Sequence, residues 1–181
     1  KIRKEKRQIK EYKEREHILP LGDYILINKQ EEQEYEKISI YNFGTTYILV
    51  LFDNMNNVYG ISHILKTQCP LEESKNNSNF NLHKYASSVL DFLIPKIIKI
   101  GGDPNKLEAA IFGGSQIFEK RYISILNTFK NLQIGLRTKK IPIKYLDTGG
   151  KKLRSLIINL EKKEILLKKE NSQQFQKFFF E

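Results

Sequence analysis

FGTTYILVLFDNMNNVYGISHILK, residues 43–66, decides how this chain folds. Gly44 is followed by TTYILVLFD (45–53), an apolar run bounded by turn residues, which predicts a buried strand. NMNN (54–57) is turn chemistry, because asparagine tolerates left-handed backbone. VYGISHIL (58–65) is then the returning strand, so 45–65 predicts a β-hairpin. The layout sets Thr46 at the start of one strand and His63 late in the other. These places suit a nucleophile and a base, yet the first holds a threonine.

Working outward, LGDYILIN (21–28) reads as a short strand after Gly22, KQEEQEYEK (29–37) as a charged turn, and ISIYNFG (38–44) as a strand running into the glycine turn. TQCPLEESKNNSNFNLH (67–83) is polar and irregular, which predicts a mobile loop. Apolar residues at 85, 89, 92, 93, 97 and 100 predict a helix stopped by Gly101 and kinked at Pro95. LEAAIFGG (107–114) predicts a buried strand, 118–132 a second helix, and KIPIKYLDTGG (140–150) a strand ending in a second Gly pair. Residues 153–169 predict a hairpin turning at Glu161-Lys162-Lys163. Strands, helix, strand, helix and strands predict an α+β domain in layers: one mixed β-sheet with helices packed against it. The domain is expected over 19–170, with a charged N-terminal tail or helix at 1–18 and a C-terminal tail at 171–181.

A chain of 181 residues suffices for one domain with a real core. Its longest apolar run, Tyr47 to Phe52, is far short of the roughly 20 residues of a membrane span, so membrane insertion is not expected. The N-terminus shows no secretory signal pattern. Cys69 is the only cysteine. No internal disulfide can form, and a cytoplasmic location is the simplest reading. The formal net charge of +10 is carried mostly by lysine in a chain also rich in asparagine and isoleucine. Arginine, the preferred reader of base edges, is scarce, which argues against nucleic acid as the partner.

Three histidines occur, at 17, 63 and 83, and no pair has metal-ligand spacing, so no metal is expected. His63 alone sits in a tight structural context. Its bland role would be a core or edge residue bonded to backbone. Gly44 and Thr45 form a turn that can aim backbone N–H groups at one spot, the geometry of an oxyanion hole. The bland role of Thr46 is an ordinary strand residue. Neither Gly113-Gly114 nor Gly149-Gly150 is followed by Gly-Lys-Ser/Thr, so no nucleotide site or other cofactor is expected.

Together these segments resemble CheD, the chemoreceptor glutamine deamidases of bacterial chemotaxis. Gly22-Asp23-Tyr24 resembles the family's opening strand. FGTTYILVLFD (43–53) resembles its Leu-Gly-Ser-Cys turn, apolar strand and Asp. GISHIL (60–65) is similar to its Gly-x-x-His strand. KYASSVLDFLIPKIIKIGGDPNKLEAAIFGGSQIF (84–118) follows its helix, Gly turn and Lys-x-Phe-Gly-Gly-Ala block. DTGGKKLR (147–154) resembles its Asp-x-Gly-Gly-x-x-x-Arg stretch.

The resemblance implies hydrolysis of receptor glutamine side-chain amides, and in some members of glutamyl methyl esters. A Cys thiolate attacks, a His acts as base and acid, and ammonia leaves. It also implies binding to a CheC-type phosphatase. Carried over, the base falls on His63, while the nucleophile position holds Thr46. A family Thr that orients the site falls on Ile40. The family's Ile-Gly-x-Arg-Asn stretch falls near residues 123–127, without its Gly and Arg. An alcohol is a far weaker acid than a thiol, and Thr46 is not N-terminal, so the amine that activates threonine nucleophiles is missing. The main role expected is therefore binding: to a CheC- or CheX-type phosphatase, to methyl-accepting chemoreceptors, or to both. One alternative is a slow deamidase using Thr46 or Cys69 with His63. A second is a basic nucleic-acid or membrane-surface binding protein.

Overall fold

The computed structural model describes residues 15–31, 34–70 and 82–180. The strands are β1 (Glu16–Ile18), β2 (Tyr24–Asn28), β3 (Lys37–Phe43), β4 (Tyr47–Asp53), β5 (Val58–Ile64), β6 (Glu108–Gly113), β7 (Ile143–Thr148), β8 (Arg154–Asn159), β9 (Glu164–Lys169) and β10 (Gln176–Phe179). The helices are α1 (Val89–Lys99) and α2 (Tyr122–Thr138). The α+β class holds, but the strands divide between two mixed sheets where the sequence suggests one. Their orders are β1-β3-β8-β9-β10 and β2-β5-β4-β6-β7.

The central hairpin explains the layering. Every residue of β4 is buried. Ile48, Val50 and Phe52 point into a core shared with Ile38 and Ile40 of β3, Leu156 and Ile158 of β8, and Ile165 and Leu167 of β9. Tyr47, Leu49 and Leu51 point the other way, against Leu93 and Ile97 of α1 and Leu132 and Leu136 of α2. A strand with two dry faces reads as a continuous apolar run, which is how 47–52 reads. The molecule is thus sheet on sheet on helices. Gly60 lets α1 approach: a Cβ there would lie 2.6 Å from Ile97 Cδ1.

The hairpin turn is built as its asparagines suggest. Asn57 takes φ +54. Asp53 accepts from the backbone N–H and side-chain amide of Asn56 and from the Asp103 N–H. Burial acts to raise its pKa, but these bonds to the carboxylate outweigh it and the net shift is downward.

Several element bounds differ from the sequence reading. The first helix begins at Val89, after a 3₁₀ turn at Leu82–Lys84, and continues through Pro95. The second runs past residue 132 to Thr138, because Gly135 meets Leu90 rather than ending it; a Cβ would fall 2.8 Å from Leu90 Cδ1. Glu16–Ile18, assigned to the N-terminal tail, pairs in parallel with β3, and the Glu16 carboxylate accepts from the Ser39 and Tyr41 hydroxyls. Gln176–Phe179, assigned to the C-terminal tail, pairs with β9, and Phe180 packs on Phe52 and Tyr59. Main-chain pairing at a sheet edge leaves little trace in a charged or polar sequence. The rest of residues 1–14 and most of the expected mobile loop, 71–81, lie outside the described residues.

Candidate active site

Register brings the two expected residues together. His63 pairs with Ile48 across the hairpin. Thr46 lies two residues before Ile48, so its side chain shares that face and sits diagonal to His63, within reach of it. Thr46 Oγ1 and His63 Nε2 are hydrogen-bonded at 2.8 Å, the hydroxyl donating when the ring carries its proton on Nδ1. His63 is 3 % exposed, and its ring meets Phe43 edge-on with centroids 6.1 Å apart. Burial depresses its pKa from 6.5 to about 4. The Pro20 carbonyl acts the other way, yet the buried Nδ1 keeps no partner in hydrogen-bonding geometry among the described residues. The ring is therefore neutral at neutral pH, and among the described residues no carboxylate orients it as in a catalytic triad.

The turn before β4 is held by its carbonyls. Gly44 C=O accepts from the Ser115 N–H at 2.8 Å, and Thr46 C=O accepts from the Gly114 N–H at 2.9 Å. Gly113 adopts φ +118, and a Cβ on it would lie 2.2 Å from the Thr46 oxygen. Gly114, at φ +67, passes so close to Tyr47 that a Cβ would overlap the phenol oxygen. The first Gly pair thus serves close backbone approach to the turn. A cleft of about 380 Å³ opens beside it, lined by Gly44, Thr45, Ile117, Phe118, Lys151, Leu153 and Glu170. Thr46 and His63 are not part of that lining.

Ile40 is 2 % exposed and packs between the sheets, where it offers no polar atom to the site. Cys69 has its N–H on Ser87 Oγ and its Sγ 3.7 Å from the Pro70 carbonyl. The contacts of His63 given above go to Thr46 and Phe43 instead. Among the described residues no group of three His, Cys, Asp or Glu side chains could hold a metal ion. No helix among them is long and apolar enough to cross a membrane.

Sequence reasoning passed over a polar cluster beside the turn. Arg154, 3 % exposed, pairs with Asp147, and its guanidinium reaches the Ser115 hydroxyl and the Gly149 carbonyl. The signal was the DTGGKKLR stretch, which carries both charged partners but gives no hint that Ser115 joins them.

The fold and this site define an α+β protein with a hydroxyl–imidazole pair at one end of a doubly covered hairpin. The family model described as CheD chemotactic sensory transduction matches residues 69–169, more than half of the chain and beginning beyond His63. The chain is 30% identical over 155 residues to a protein of Thermococcus kodakarensis named probable chemoreceptor glutamine deamidase CheD, covering 82% of this chain and 89% of that one. It is 31% identical over 136 residues to the protein of the same name from Pyrococcus horikoshii, covering 73% and 82%. It is 30% identical over 135 residues to the chemoreceptor glutamine deamidase CheD of Halalkalibacterium halodurans, covering 69% and 78%. The chain belongs to the CheD family of chemotaxis proteins.

Proposed function

We propose that this CheD-type protein works mainly by binding, with a deamidase site that has lost most of its power. Its partners are a CheC- or CheX-type phosphatase of the response regulator, chemoreceptors, or both. The reading is carried by one observation: a buried imidazole of depressed pKa faces an alcohol, and among the described residues its far nitrogen has no partner in full hydrogen-bonding geometry, the Pro20 carbonyl acting on it only weakly against burial. A thiol of pKa about 8.5 can pass its proton to a neighbouring imidazole and leave a stabilised ion pair. An alcohol cannot form that pair, and an imidazole with pKa about 4 is a weak base for it. Ile40 adds no hydrogen bond that could hold the ring. The cytoplasm, suggested by the lone cysteine, is the compartment where receptor tails and such phosphatases meet.

The 2.8 Å Thr46–His63 bond favours a second reading, a slow glutamine deamidase of chemoreceptors. Two measurements separate them. Calorimetric titration with a CheC- or CheX-type phosphatase and with receptor fragments is expected to show binding to at least one. Binding to neither removes the first reading. Mass spectrometry of receptor peptides after long incubation is expected to show glutamine intact. Conversion to glutamate that disappears in His63→Ala would establish the second.

A further inference from the structure

Arg154 stands in the sheet opposite Thr46 and His63, and its side chain is 4 % exposed. All five of its N–H donors are used. Nε and Nη2 both donate to Asp147 Oδ1, at 2.9 and 2.7 Å. Nη2 also donates to the Gly149 carbonyl at 2.9 Å. Nη1 donates to Ser115 Oγ and, at 3.4 Å, to the Lys152 carbonyl. Ser115 in turn donates from its hydroxyl to the Lys152 carbonyl and from its N–H to the Gly44 carbonyl. The Gly149 N–H reaches back to the Gly113 carbonyl, and the Gln116 N–H to the Gly150 carbonyl. One guanidinium therefore ties the 113–116 and 147–153 loops together behind the 44–46 turn.

We propose that Arg154 is a positioning residue for the candidate site, holding the Gly44–Thr46 turn in the shape that aims Thr46 at His63. Peptide planarity gives this its reach. The Gly44 carbonyl and the Thr45 N–H belong to one trans peptide and point in opposite directions. Pinning the carbonyl on Ser115 turns the Thr45 N–H away from that loop. Pinning the Thr46 carbonyl on Gly114 fixes the backbone from which the 46 side chain leaves. Every one of these bonds to the turn is to main chain. The clamp is indifferent to the side chain at 46 and survives the exchange of sulfur for hydroxyl.

The proposal rests on reading Thr46 and His63 as a hydrolase-type pair. The test uses the full chain carrying Thr46→Cys and Cys69→Ser, with iodoacetamide as probe and intact mass as readout. The pH profile of alkylation is expected to have its midpoint below the ordinary thiol value of about 8.5. Adding Arg154→Lys, which keeps the charge but loses the fork, is expected to move that midpoint up toward the ordinary value with near-UV circular dichroism unchanged. Asp147→Asn, which removes the carboxylate that orients the guanidinium, is expected to act in the same direction and serves should Arg154→Lys not fold. Lys144→Met, which breaks a salt bridge from β7 to Glu108 of β6, is expected to leave the midpoint in place. A depressed midpoint that neither clamp variant moves overturns the proposal, as does an equal shift in Lys144→Met. An ordinary midpoint before any clamp variant is added removes the hydrolase-type reading itself, and leaves Arg154 with a structural role only.

Discussion

Thr46 Oγ1 lies 2.8 Å from His63 Nε2, and the opposite ring nitrogen has no partner among the described residues. On the proposed reading this is the geometry of a nucleophile and its base, held by an alcohol in place of a more acidic thiol.

Restoring a thiol should restore chemistry. Thr46→Cys is expected to convert glutamine to glutamate in receptor peptides, followed by mass spectrometry, at a rate at least 100-fold above the parent chain on the order of a lost nucleophile's usual effect. Adding Ile40→Thr, which restores the residue type the family resemblance places there, should raise it further. Thr46→Cys with no activity, despite a folded chain, would mean the cleft no longer accepts a glutamine side chain.

Acid should destabilise the fold through His63. Its folded pKa of about 4 lies below the ordinary 6.5, so the unfolded chain binds the proton more tightly. Stability is fully present above pH 6.5 and declines as pH falls toward 4, by on the order of 3 kcal/mol at pH 4. His83, also lowered chiefly by burial, works in the same direction. Urea midpoints at pH 7, 5 and 4 should fall more steeply in the parent than in His63→Gln. Equal slopes would show that the ring titrates normally.

The two Gly pairs should respond differently to alanine. Gly113→Ala drives a Cβ into the Thr46 carbonyl at φ +118, and a loss above about 3 kcal/mol is expected. Gly149, at φ +78, has open space around it, so Gly149→Ala should cost only the left-handed penalty of about 1 kcal/mol. Thermal melts would expose the difference. Similar losses at both would place the strain elsewhere.

Phe180→Ala should behave as a core mutation. The side chain is 3 % exposed against Phe52 and Tyr59, and truncation of such a ring costs about 3 kcal/mol or more. A change below about 0.5 kcal/mol in urea unfolding would return residues beyond 170 to the status of a tail.

The hairpin and its neighbours could be read because their signals are local. Asn57 needs left-handed backbone, Gly101 at φ +99 stops α1, and 47–52 has no polar residue to give one face to water. The split into two sheets was hidden because alternation in β3, β8 and β9 says that one face is buried without naming what covers it. β1 was hidden because Glu16-His17-Ile18 has no period, and its hold on β3 is through main chain and the Glu16 carboxylate. At the site, the closeness of residues 46 and 63 follows from hairpin register once the turn is placed. The Arg154 cluster does not follow, since its bonds join residues 7 and 39 positions apart across two loops.

The strand that carries Thr46 is covered on both faces, by β3, β8 and β9 on one side and by α1 and α2 on the other. It has no slack with which to reach outward. Thr46 itself lies outside the cleft that Phe118 and Leu153 border, so its position is dictated by the packed strand behind it rather than by that cleft.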